Sequence, residues 1–157
     1  MSGKIDTRLA ELGIELPTPA SPAANYVPFT ISGNTLFVSG QITLWDNEIK
    51  YIGRVGDGIS KEDAYQAARI CGMNIIAQAK IACGGDLDGV TRVLKLGGFV
   101  NCLPEFNDMP EIINGASDLM VEVFGCEIGS HARFAVGVAS LPRGIATEVD
   151  GTFEISY

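Results

Sequence analysis

An arginine opens the run Arg133-Phe-Ala-Val-Gly-Val-Ala, and a glutamate, Glu148, follows it fifteen residues later. In a strand, side chains alternate between faces. Phe134, Val136 and Val138 then share one face, which reads as core, while Arg133, Ala135, Gly137 and Ala139 share the other. A guanidinium among such small neighbours either lies against something that comes close or leaves room for a small ligand. Its planar fork suits a carboxylate, held by two parallel hydrogen bonds. A glutamate near that site supplies what arginine lacks, a base able to polarise water. Together the two suit attack by water on a small anionic substrate. An Arg–Glu salt bridge between subunits is the plainer alternative.

The elements that position this pair come next. Residues 132–140 and 145–156 read as strands around the turn Leu141-Pro-Arg-Gly144. As a hairpin, this places Gly137 opposite Glu148 and puts Glu148 on the face of Arg133. Four residues along a strand still separate the two, roughly 13 Å at ~3.3 Å per residue. Joint action therefore needs a second chain.

Upstream, residues 4–12 read as a short helix stopped by Gly13. The proline-rich stretch 17–28 should run extended over the surface. Residues 29–42 read as a hairpin around Gly33–Asn34, and 48–53 as a third strand. Ser60 and Asp63 form a capping-box pattern that starts the main helix, and Gly84–Gly85 ends it. Its stripe of Ala64, Ala67, Ala68, Cys71, Ile75, Ala79 and Ala82 should lie close on a sheet. Residues 90–102 read as a long strand with a bend or bulge at Gly97–Gly98. Asp108 and Pro110 start a second main helix, which Gly125 closes. The order predicts a single α+β domain over residues 1–157, a mixed sheet with two main helices on one face. The other face, with the small-residue row, lacks cover from its own chain, which implies a partner subunit.

The chain has 157 residues, 46% of them hydrophobic, and a formal net charge of −8 with no basic run. That charge argues against nucleic acid as a partner. Cys71, Cys83, Cys102 and Cys126 form no CxxC, and with one histidine no zinc constellation can be assembled, so neither metal nor cofactor is expected. The thiols read as buried and reduced, which fits a cytoplasmic location. The charged N-terminus lacks a signal-peptide core, and no apolar run approaches the ~20 residues of a membrane span.

The run Arg133-Phe-Ala-Val136-Gly-Val138-Ala-Ser-Leu141-Pro142 followed by Glu148 resembles the signature of the YjgF/RidA family, also called the L-PSP endoribonuclease family. Two further features strengthen the resemblance, which covers roughly residues 20–157. Tyr26 precedes the Ser39-Gly40-Gln41 motif by thirteen residues, and Asn114 matches an asparagine early in the second main helix. Residues 1–20 then form an N-terminal extension. The resemblance implies a chorismate-mutase-like protomer assembling as a homotrimer, with ligand sites in the intersubunit clefts. It implies hydrolysis of reactive enamine/imine intermediates to 2-oxo acids and ammonia. Arg133 would hold the substrate carboxylate and Glu148 would position or activate water. Tyr26, Ser39, Gly40 and Asn114 would line the pocket with the backbone of Ala135. A non-catalytic trimer that binds small carboxylates is the alternative, and RNA cleavage the least favoured function on charge. The chain departs from the family in having Ala135 where many members carry cysteine, and His131 where proline is usual. These departures mark a divergent subgroup, and they leave the physiological substrate open. His131 reads as a rim residue, and Asp150 as either a second acid in the cleft or a solvated charge.

Overall fold

The computed structural model describes residues 2–19, 21 and 24–156. Three α-helices are present among the described residues: α1 (Lys4–Glu11), α2 (Lys61–Ala82) and α3 (Met109–Gly129). The main sheet contains β1 (Phe29–Ser32), β2 (Thr35–Gln41), β7 (Val90–Asn101), β8 (Ala132–Val138) and β9 (Thr147–Ile155). Its order is β1-β2-β9-β7-β8, with β7 and β8 parallel and the remaining pairs antiparallel. Between β2 and α2 lie β3 (Leu44–Trp45), β4 (Glu48–Ile49), β5 (Arg54–Val55) and β6 (Gly58–Ile59). The strand expected at 48–53 is thus replaced by two-residue pairings. The backbone at Asp46, Asn47 and Tyr51 is left-handed, so the chain here turns too often for a longer strand.

Local chemistry accounts for the main helix. Ser60 Oγ accepts from the Asp63 backbone N–H, as the capping pattern predicts. The stripe Ala64, Ala68, Cys71, Ile75 and Ala79 is fully buried, so α2 lies close over the sheet. Pro110 stands in the first turn of α3, but Asp108 makes no cap hydrogen bond. Its carboxylate instead accepts from Lys61 Nζ at 3.0 Å, which draws it toward α2. Gly125 departs from helical geometry (φ 81°, ψ 165°), and one further turn runs to Gly129. Tyr65 donates to Asp118 at 2.6 Å and Arg69 pairs with Glu122 at 3.0 Å, tying α2 to α3.

Two sequence expectations fail in the sheet. First, β8 and β9 do not pair, because β7 runs between them. Ala135 and Val149 both neighbour Gly98, and Val136 and Glu148 both neighbour Phe99. Second, the faces of β8 are reversed. The Arg133–Ala135–Gly137 row lies on the helix side. A Cβ on Gly98, beside Ala135, would meet the Ile113 side chain of α3 at 2.5 Å, and one on Gly137 would meet Cys102 Sγ at 2.8 Å. The row is small because the helix layer comes close, not because the face is open. The open face carries the apolar row: Phe134 and Val136 are 36% and 41% exposed, and Phe37 on β2 is 48% exposed. The bulges of β7 lie nearer its start, between Val90 and Lys95, and Gly97 and Gly98 serve close approach instead. Cys71 and Cys102 are buried as expected, but Cys126 is exposed.

Candidate functional site

Arg133 sits on edge strand β8 and reaches across to α3. Its Nη1 donates to Asn114 Oδ1 at 2.8 Å and to Ser117 Oγ at 3.1 Å, and its Nη2 donates to the Pro110 carbonyl at 3.3 Å. A guanidinium has five N–H donors. Among the described residues these bonds occupy three, leaving Nε–H and one Nη2 hydrogen for a ligand. Burial lowers the Arg133 pKa, opposed by Asp118, but arginine stays cationic in proteins. The restrained fork is therefore a fixed positive group with two donors to spare. Ala135, two residues on, packs against the core on the same side of the sheet.

Glu148 occupies the opposite face. Its neighbours Thr147 and Val149 are buried beneath the helices, and Cys71 of α2 meets the Thr147 carbonyl at 3.5 Å. Alternation turns Glu148 to the open side. A Cβ on Gly40 would stand 2.6 Å from Glu148 Oε1, so the missing side chain leaves room for the carboxylate. Burial pushes the Glu148 pKa up, and repulsion from Asp150 pushes it further. Asp150 lies on the same face; burial raises its pKa, partly offset by the Gly97 N–H and Lys95.

Ser39 precedes Gly40 and works as a clamp. Its Oγ donates to the Val27 carbonyl at 2.7 Å, and its backbone N–H to the Pro28 carbonyl at 2.9 Å. This pins the segment that carries Tyr26, which is 51% exposed one residue before Val27.

The candidate residues thus form two groups. Arg133 of β8 meets Asn114 of α3, and Ala135 lies two residues along the same strand on the helix side. Glu148, Gly40, Ser39 and the Tyr26 segment meet at β2 and β9. The expectation that Arg133 and Glu148 share a face is incorrect, because β7 separates their strands and each side chain takes the opposite side. Ser117 and the Pro110 carbonyl were not anticipated, although the three-residue step from Asn114 to Ser117 places both on one helix face. His131, expected at the rim, bonds to Ser117 Oγ through Nε2 at 2.9 Å.

The architecture is that of an α+β protein whose mixed sheet is backed by helices, with Arg133 on the helix side and Glu148 on the open side. The sequence model of the family described as "YjgF/chorismate mutase-like, putative endoribonuclease" matches residues 6–146, and the chain belongs to that family. It is similar to protein TCP17 of Trypanosoma cruzi, 46% identical over 155 residues, covering 99% of this chain and 96% of that one. The crystal structure of Atu1372, a protein with unknown function from Agrobacterium tumefaciens, is 49% identical with a TM-score of 0.90, covering 97% of this chain and 92% of that one. That of a "putative endoribonuclease" from Shewanella oneidensis MR-1 is 33% identical with a TM-score of 0.92, covering 96% and 99%.

Proposed function

We propose that the protein is a hydrolytic deaminase of small enamine and imine intermediates, working as a homotrimer whose clefts join Arg133 of one protomer to Glu148 of the next. The observation that carries this is the separation of the two part-sites. The spare Arg133 donors suit a carboxylate, and the Glu148 carboxyl suits proton transfer, yet one chain holds them on opposite faces. The apolar open face around Phe37, Phe134 and Val136 supplies a surface for the neighbouring copy.

Arg133 anchors the carboxylate of the substrate. An enamine such as 2-aminoacrylate first takes a proton from solvent at its terminal carbon and releases one from nitrogen to solvent, becoming the imine. Glu148 then accepts a proton from water as the water oxygen bonds to the imine carbon, and the nitrogen is protonated. The tetrahedral carbinolamine collapses as its hydroxyl proton leaves, the C–N bond breaks, and ammonia departs, giving the 2-oxo acid. Glu148 can return its proton to the departing nitrogen. A carboxyl with a raised pKa suits both directions of transfer. RNA cleavage is disfavoured by the net charge of −8 and by two acids on the open face.

The test is release of 2-oxo acid and ammonia from freshly generated 2-aminoacrylate, measured above the spontaneous rate. Acceleration supports the deaminase. Carboxylate binding without acceleration assigns the same cleft to a binding protein.

A further inference from the structure

We propose that His131 is a positioning residue for Arg133, acting through Ser117. The proposal rests on Arg133 as the carboxylate anchor and extends that role to two residues not placed in the substrate pocket. His131 Nδ1 lies 2.6 Å from the Gly129 carbonyl oxygen. A carbonyl only accepts, so Nδ1 carries the proton of the neutral ring. Nε2 is then an acceptor, and it faces Ser117 Oγ at 2.9 Å. The serine must spend its one hydrogen on Nε2. Its oxygen keeps only lone pairs, and these receive Arg133 Nη1 at 3.1 Å. Each bond thus sets the direction of the next, from the Gly129 carbonyl to the guanidinium.

The helix supplies the starting point. After the break at Gly125, α3 makes one more turn and ends at Gly129, two residues before His131. Without the imidazole, the Ser117 hydroxyl could turn back to donate to a carbonyl of its own helix, as mid-helix serines do. Such a turn would swing Oγ away from Nη1 and remove one restraint, leaving Asn114 and Pro110 to hold the fork.

His131 is the only histidine, so its ring resonances are unambiguous. Nitrogen-15 NMR of the parent protein at neutral pH should show the Nδ1–H tautomer. Ser117→Ala should shift Nε2 toward an unbonded imidazole nitrogen while leaving Nδ1 in place. A dominant Nε2–H tautomer would overturn the proposal, whether or not any variant folds. Calorimetry with 2-oxobutyrate gives the second readout. His131→Phe and Ser117→Ala should each weaken binding roughly tenfold, in the range of lost outer-shell partners, and the double variant should be no weaker than either alone. Single variants at parent affinity, or effects that multiply, count against the relay. Arg133→Ala separates the layers: if it loses affinity while the relay variants do not, only the relay fails. If it binds like the parent, the anchor fails and the relay with it.

Discussion

Arg133 and Glu148 project from opposite faces of one sheet, with Phe99 of β7 paired to Glu148 on one side and to Val136 of the arginine's strand on the other. Side-chain motion cannot carry a guanidinium through a hydrogen-bonded sheet. Either the two act at separate places, or a neighbouring copy brings a Glu148 to each Arg133.

The anchor depends on the shape of the guanidinium as well as its charge. Arg133→Lys keeps the charge but loses the fork and the bonds to Asn114 and Ser117. With charge-assisted bonds worth about 1.5–3 kcal/mol, affinity for 2-oxo acids should fall roughly tenfold to a hundredfold. Titration calorimetry checks this; parent affinity in the lysine variant would remove the fork from recognition.

Gly40→Ala probes the glutamate's seat. The added methyl would press on Glu148 Oε1, the far end of a flexible side chain, so the carboxylate should swing aside at little cost to folding. Deamination should fall about tenfold or more, on the scale of a misplaced reacting group, with thermal stability close to the parent's. A large loss of stability with unchanged specific activity would contradict this role for Gly40.

The pH dependence has a definite sign. Glu148 must be ionised to accept a proton, and its pKa is raised by burial and by Asp150. Activity over background should therefore fail on acidification at a pH above the ordinary glutamate value of about 4.3. Asp150→Asn removes the repulsion, lowers the Glu148 pKa and should move that limb to lower pH. A limb that stays put, or moves up, would rule out the coupling.

Local signals were the legible part of the fold. The Ser60–Asp63 cap, the alanine stripe of α2 and the hairpin at Gly33–Asn34 follow from near-neighbour chemistry, and all three are present. Strand order is not local. Nothing in residues 132–156 records that β7 inserts between β8 and β9. The face of Arg133 was misread for a related reason. Small residues under a close-packed helix and small residues around an open cavity give the same alternation, and the tertiary contacts separate them: Ile113 against Gly98 and the Arg133 bonds to α3. The separation of Arg133 from Glu148 within one chain was legible by a different route, from a distance along the strand rather than from the sheet that stands between.

Glu148→Gln keeps the size of the side chain but cannot accept a proton at neutral pH. Carboxylate binding and assembly should survive, while imine hydrolysis drops by about two orders of magnitude, within the ~10²–10⁴-fold typical of a general base. Steady-state rates set beside calorimetry check this. A variant as fast as the parent would take Glu148 out of the mechanism.

The most direct measurement mixes two inactive chains. Arg133→Ala and Glu148→Gln, differently tagged and co-expressed, should assemble into mixed trimers. Some clefts will then join an intact Arg133 to an intact Glu148 from its neighbour. In a cyclic trimer every mixed species, whichever chain is in the majority, has one intact cleft out of three, so the purified mixed trimers should recover about a third of parent activity. Activity no greater than that of the two variants assayed apart, in a mixture shown to contain both chains, would contradict a site shared between copies.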